Sequence, residues 1–224
     1  MNPSYRIPKG ERWLRLAPSE GALPPSREAP LDDDALIEAV VRRDVRRADE
    51  LHDRLISVIE STLYRLMGKR ESDHDDLVQA TFEQVVVTLM RGRFSRGCSL
   101  TTWASAVAAH VAFNALRARR RARRVFDPTE LGRVPDHAVL DDAERDIRAR
   151  AQIREVQGHL SAMAPDRAMM VIMHDVLGHE LVESAAIVGI SVAAAQSRLV
   201  RGRRDLLRRL AAGDGSKEGA GRDQ

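Results

Sequence analysis

Leu51, Leu55, Ile59, Leu63 and Leu66 recur every three or four residues, which places five large aliphatic side chains on one face of a helix about four turns long. A stripe of that kind must be buried against other apolar faces, and the rest of the chain offers helices to do it. Asp32 to Asp34 supplies N-cap chemistry ahead of Leu36, Ile37, Val40, Val41 and Val45, and Gly68 is a natural stop for the long stripe. Val78, Phe82, Val85 and Leu89 follow an acidic first turn containing Asp73, Asp75 and Asp76, which suits a helix dipole. The β-branched run Val85 to Val87 would fit a strand by itself, but the longer helical register continues through it. Gly92 and Gly97 then bracket a loop, and a long helical pattern runs from about Leu100 to Arg124 with Trp103, Val107 and Val111 along one side.

Pro128, Gly132 and Pro135 interrupt helix formation. Helical composition returns from about Ala143: Ile153, Val156 and Leu160 form one stripe, Pro165 suits a first turn, and Met169, Ile172, Met173 and Val176 form another that ends near Gly178. Glu180 to Val188, Gly189 to Ser191 and Val192 to Leu210 read as helix, tight turn, helix. The expected fold is all-α, with two helical domains at 32–124 and 147–210 joined by a flexible acidic linker at 125–146. A Pro-rich flexible extension (1–31) precedes them and a flexible tail (211–224) follows.

Charge is segregated along this framework. Arg91 to Arg124 holds nine arginines and no acid, whereas Glu71 to Glu83 holds five acids and no Lys or Arg. Val125 to Asp146 carries seven acids against two arginines, and Gln196 to Leu210 carries six arginines against one aspartate. Basic blocks flanking an acidic connector suit a nucleic-acid partner, while solvated helix faces give the same pattern. The single cysteine, Cys98, cannot form an internal disulfide. Met1 to Pro30 lacks the apolar stretch of a secretory signal and no later run is long enough to span a bilayer, so a cytoplasmic protein without membrane association is expected.

The stretch Ala185 to Ser191 has the physics of a helix-turn-helix. Gly189 can take the left-handed turn, Ile190 can fill the angle between helices, Ser191 can cap the next helix, and Ala185 permits close packing. The second helix then offers Gln196, Ser197, Arg198 and Arg201, residues that can pair with base edges in a major groove. A plain helical hairpin satisfies the same periodicity. Leu160 to Leu210, with Pro165, Gly178, that turn, and Ser197, Arg198, Leu199, Arg201 and Arg203, resembles the region-four domain of extracytoplasmic-function sigma factors of bacterial RNA polymerase. The resemblance implies reading of the minus-thirty-five promoter element by Ser191, Ala193, Ala194, Gln196, Ser197, Arg198 and Arg201. Gln196 stands where the family often has Lys, and Glu180 and Leu181 where it often has a Ser-Tyr pair.

The first half resembles the same family. Asp75, Asp76, Leu77, Val78, Gln79, Ala80, Thr81 and Phe82, then Phe94, Ser95, Ser99, Leu100, Thr102 and Trp103, are similar in order and spacing to its region-two signature. That resemblance implies that Asp75, Asp76, Gln79, Phe82 and Glu83 bind core RNA polymerase. It also implies that Phe94, Ser95, Arg96, Ser99, Thr102, Trp103, His110, Asn114, Arg117, Arg120 and Arg121 engage the minus-ten element and its displaced strand. Phe94, Trp103 and Phe113 are candidates for a base-accepting pocket. An aromatic at helical spacing such as Trp103 is, however, core before it is base contact. Where the family commonly carries Arg on this helix the chain has Ala106 and Ala109, which bears on promoter choice and melting.

The implied partners are core polymerase and promoter DNA, duplex and melted, with an anti-sigma factor left open; no cofactor, metal or catalytic residue is expected. Neither His74 with Asp75 and Asp76, nor His174 with Asp175, His179 and Glu180, gives the spacing that sets two imidazoles on one helical face. No phosphate-cradling glycine loop or serine elbow occurs. A polymerase-independent helix-turn-helix regulator, a degenerate sigma-like factor that cannot open promoters, and an enzyme of nucleic-acid metabolism remain alternatives at this point.

Overall fold

The first helix of the computed structural model, α1 (Asp33–Val41), begins where the Ala35 N–H donates to the Asp32 carboxylate at 2.8 Å. It ends sooner than the spacing of Val41 and Val45 suggests, because Arg43 takes a φ of 61° and a 3-10 turn (Val45–Arg47) follows. Residues 32–68, 72–126 and 141–219 are described; the expected extension, most of the expected linker and the end of the expected tail lie outside them.

Along α2 (Ala48–Met67) the whole stripe from Leu51 to Leu66 is buried, with Leu55, Ile59 and Leu63 at 0% exposure. Gly68 closes the helix at φ 76°, its N–H donating to the Tyr64 carbonyl at 2.8 Å. α3 (His74–Met90) stays helical through Val85 to Val87, anchored by buried Val85 and Leu89. α4 (Leu100–Phe126) is the central element, with α2 and α3 packed along it. Every residue from Trp103 to Ala109 is buried, so this stretch is covered on all sides. Ala104, Ala108, Ala109 and Ala112 have no exposed surface, and such small side chains let neighbouring helices approach closely.

α5 (Asp141–Ala162) begins inside the segment expected to be linker. α6 (Pro165–Val171) starts with Pro165 in its first turn and continues into a π turn (Ile172–Val176), where the Leu177 N–H reaches back five residues to the Ile172 carbonyl at 3.0 Å. Gly178, at φ 76°, turns the chain into α7 (Leu181–Val188). α8 (Val192–Gly219) runs past Leu210, where the periodicity had suggested an end. Inside α8, Gly202 is buried because a Cβ there would lie 2.8 Å from Val171 Cγ2 and 2.9 Å from the Arg167 carbonyl oxygen, so α6 and α8 touch through the missing side chain.

The helices of both halves belong to one packed unit. Gln157 Nε2 donates to the Leu66 carbonyl at 2.7 Å, Arg65 Nη1 donates to the Val176 carbonyl at 3.3 Å, and Ser105 Oγ hydrogen-bonds His179 Nε2 at 2.7 Å. The last bond is buried, and burial lowers the His179 pKa from its ordinary 6.5, with the nearby Glu183 charge opposing that shift.

Folding therefore favours neutral His179. Its contribution is whole above the unfolded value near 6.5 and is lost as the pH falls below it, because the unfolded chain takes up the proton first. The urea midpoint is expected to fall between about pH 7.5 and about pH 5.5, and to fall less in His179→Gln; an equal decline in both proteins would place the pH sensitivity elsewhere.

Candidate nucleic-acid interface

Asp75, Asp76, Gln79 and Glu83 lie on the exposed side of α3, and Gln79 Nε2 donates to Glu83 Oε1 at 3.1 Å one turn on. Phe82 is half-buried at the edge of this surface and stacks on His52 of α2, with ring centroids 4.9 Å apart and planes 19° from parallel. His52 escaped the sequence reading, since nothing in its local pattern ties it to α3. Asp73 is the N-cap residue of α3, but its side chain makes no cap hydrogen bond. Its carboxylate receives both hydrogen bonds of a fork from Arg119 Nη2, at 2.7 and 2.8 Å, and so ties α3 to α4.

The loop before α4 is held from α1. Asp33 accepts from the Leu100 N–H at 2.9 Å through Oδ2 and from Arg54 Nη1 at 2.9 Å through Oδ1, while Asp34 pairs with Arg96 Nη1 at 3.0 Å. Arg96 itself takes a φ of 55°, a left-handed conformation uncommon outside glycine. Ser95 is exposed beside it. Ser99 caps α4, accepting from the Thr102 N–H at 3.0 Å and bonding the Thr102 hydroxyl at 2.8 Å. Phe94 rests on Trp103, with centroids 5.0 Å apart, and Trp103 is itself buried. Phe113 is 2% exposed and is a core residue, not the wall of an open pocket.

Ala106 and Ala109, read from the sequence as places where DNA-facing arginines were missing, are 4% and 0% exposed. An arginine there would bury a guanidinium, so packing accounts for the small side chains at these two positions. The outward face of α4 is instead made by His110, Asn114, Arg117 and Arg121, spaced four, three and four residues apart. Asn114 Nδ2 lies 3.3 Å from His110 Nδ1, and the Arg117 guanidinium sits 5.7 Å from the centre of the Phe113 ring. Arg120 is half-buried farther along the same helix.

The helix-turn-helix has the expected chemistry. Gly189 has a φ of 71°, the Ile190 N–H donates to the Ala185 carbonyl at 3.0 Å, and Ser191 Oγ accepts from the Ala194 N–H at 3.2 Å. Ala185 is buried against the second helix side, while Ser191, Ala193, Gln196, Ser197 and Arg201 are exposed and Ala194 and Arg198 are half-buried. A shallow depression between α6 and α8 is lined by Asp166, Ala193, Ala194, Ser197, Arg198 and Arg201. Arg198 Nε stands 3.7 Å from an Asp166 oxygen, and Arg203 Nε donates to Asp175 at 2.9 Å. Acids on α6 and its π turn thus hold two of the α8 arginines in place. Among the described residues no His, Cys, Asp and Glu group is arranged to hold a metal ion. Burial and the Glu183 charge push the Cys98 thiol up to about 11, the opposite of an activated thiolate. Among the described residues no helix is long and apolar enough to cross a membrane.

Two family matches fall on these surfaces: Sigma-70 region 2 on residues 51–122 and Sigma-70 region 4 on residues 153–206. The probable RNA polymerase sigma-C factor of Mycobacterium bovis is 31% identical over 133 residues, which cover 59% of this chain and 68% of that protein. The RNA polymerase sigma factor CarQ of Myxococcus xanthus is 33% identical over 128 residues, 57% of this chain and 69% of its own. Among solved structures, the sigma factor RpoE of Bartonella quintana in complex with the anti-sigma factor NepR is 20% identical with a TM-score of 0.42, covering 73% of this chain and 98% of that one. CnrH in complex with the cytosolic domain of CnrY is 22% identical with a TM-score of 0.49, covering 80% and 97%. The chain belongs to the extracytoplasmic-function sigma factors of the sigma-70 family. Its function is to direct RNA polymerase to promoters, and its partners are core polymerase and promoter DNA.

Asp33 is the acid on which the loop geometry turns, since it meets a backbone donor of α4 and a guanidinium of α2 at once. Asp33→Ala is expected to lower stability by about 1.5–3 kcal/mol in urea unfolding, and Asp33→Asn, which keeps an acceptor, by less. An unchanged midpoint in Asp33→Ala would remove this acid from the account of the loop.

Proposed function

We propose that the promoter-directing role is divided among three surfaces. Asp75, Asp76, Gln79, Phe82 and Glu83 on α3 dock on core polymerase. Phe94, Ser95, Arg96, Ser99, Thr102 and Trp103, with His110, Asn114, Arg117, Arg120 and Arg121 on α4, take the minus-ten element and stabilise its displaced strand. Ser191, Ala193, Ala194, Gln196, Ser197, Arg198 and Arg201 place α8 in the major groove of the minus-thirty-five element. These surfaces belong to two functional modules, 32–124 and 147–210, and the chain supplies no chemistry of its own: the polymerase makes the RNA.

The observation that carries this reading is the separation of charge within one matched segment. The exposed face of α3 carries carboxylates, while the outward face of α4 carries guanidiniums. A carboxylate face repels phosphates and suits a basic protein surface, whereas the arginine face suits the DNA backbone. On α8, Gln196 and Arg201 are side chains able to read adenine and guanine edges, each good pair contributing roughly 1–3 kcal/mol of discrimination. Ser99 and Trp103 support the minus-ten surface by position, one capping α4 and the other backing Phe94.

Reversing charge with Asp75→Lys and Asp76→Lys is expected to abolish retention of core polymerase in a pull-down from purified components while circular dichroism stays that of the parent protein. Undiminished retention would show that α3 is not the docking surface. Four phosphate contacts would give promoter binding a slope of roughly −3.6 in log affinity against log salt. A slope near zero would remove the arginine faces from DNA binding.

A further inference from the structure

The depression between α6 and α8 is basic, yet it contains one acid. Ser197, Arg198 and Arg201 line it from α8, and Asp166 and Arg167 line it from α6. Packing brings the acid there: α6 lies against Gly202 of α8 at the Arg167 carbonyl, and Asp166 is the residue before Arg167. Its carboxylate stands 3.7 Å from Arg198 Nε, with about half of the Asp166 side chain and a third of the Arg198 side chain exposed. That is ion-pair distance but beyond hydrogen-bond reach, so both groups keep hydrogen-bonding capacity for a third partner. The other acid that stands against α8 behaves differently. Asp175 accepts from Arg203 Nε through Oδ2 and from Arg203 Nη2 through Oδ1, a closed fork that occupies both carboxylate oxygens. Asp175 locks its arginine, whereas Asp166 stands beside one that still faces outwards.

We propose that Asp166 determines specificity at the minus-thirty-five surface: it keeps backbone phosphate away from Arg198 and leaves that guanidinium to the neutral edge of a base. The proposal rests on the reading of α8 as the minus-thirty-five contact. A phosphate bonded to Arg198 would set its negative charge close to the carboxylate already there, and like charges repel strongly at that range. A base edge carries no net charge and meets no such repulsion, and an exocyclic amine on it can donate to the carboxylate. Phosphate contacts carry no sequence information, so an arginine barred from phosphate adds to discrimination and not to general affinity. Arg167 and Arg201 keep the depression positive, so DNA is still drawn to it.

Backbone contact is isolated by titrating the full-length protein, without polymerase, into a pool of random duplexes of about 30 base pairs. Asp166→Asn, which keeps the shape and removes the charge, is expected to bind this pool more tightly than wild type. One added phosphate contact should steepen the slope of log affinity against log salt by about 0.9, which is about eightfold in affinity at about 0.1 M salt. Arg198→Gln in the same background should cancel the gain, because the added contact is assigned to that guanidinium. An acid that only stabilised the first turn of α6 would give the opposite sign, weaker binding or none of this change. Unaltered slope and affinity in Asp166→Asn overturn the proposal, and so does a gain that survives Arg198→Gln. Should Asp166→Asn lose helicity by circular dichroism, Asp166→Ser is held to the same outcomes.

Discrimination is read in the complex with core polymerase, by sequencing the duplexes it retains from a fully randomised pool. Wild type is expected to enrich an upstream and a downstream motif. Asp166→Asn should enrich the same downstream motif, while the preference for the best base at one upstream position falls by about fivefold or more, the discrimination that one good contact supplies. An upstream motif as sharp as that of wild type overturns the proposal. Gln196→Ala and Arg201→Ala test the reading beneath it. If both leave the upstream motif intact, α8 does not read the minus-thirty-five element; if they blunt it and Asp166→Asn does not, the role of Asp166 alone is overturned.

Discussion

A helix buried on every side is possible only where its neighbours come from several directions, and α4 has that property from Trp103 to Ala109. Its alanines set the distances: Ala104, Ala108, Ala109 and Ala112 leave room for the aliphatic stripe of α2 to lie close, and the buried Leu55, Ile59 and Leu63 are that stripe. Replacing any of these alanines with a long side chain would displace a neighbouring helix, at a typical overpacking cost of about 1–3 kcal/mol. The rest of the architecture is arranged around this close contact. Beyond the packed stretch the same helix turns polar and basic, so one element is a core rod in its first half and a cationic arm in its second.

Carboxylates from neighbouring elements fix the surfaces that the core supports. Asp33 and Asp34 of α1 hold the start of α4 and Arg96, Asp73 holds Arg119, and Asp166 and Asp175 stand against Arg198 and Arg203. Exposed pairs of this kind contribute little to stability one by one. Their effect is geometric: long arginine side chains that would otherwise sample many rotamers are held in a smaller set of directions, which reduces the entropy lost when a partner arrives.

Most of the helices were legible from spacing alone, because burial imposes a 3.6-residue period wherever one face meets the core. The turn at Gly189, the Ser191 cap, the Gly68 stop and the first-turn Pro165 were legible too, each being a local device whose residue type follows from backbone geometry. What escaped has one physical character. The Asp33 and Asp34 contacts, the Asp73 to Arg119 fork, the His52 to Phe82 stack and the Ser105 to His179 bond all join residues far apart in sequence, and no local pattern encodes them. The burial of Ala106 and Ala109 was not legible for a related reason. A helix covered all round has no solvent face in that stretch, so periodicity offers no cue as to which alanines look outwards.

The π turn at Ile172–Val176 accommodates one more residue than an α turn would over the same rise. Everything downstream is consequently rotated by about 100° relative to a continuous α-helix, that being the angle one residue subtends. The direction in which Gly178 sends the chain, and the side on which His179 arrives, are therefore matters of arithmetic as well as of chemistry. A one-residue deletion in that turn would undo this rotation and aim the helix-turn-helix somewhere else.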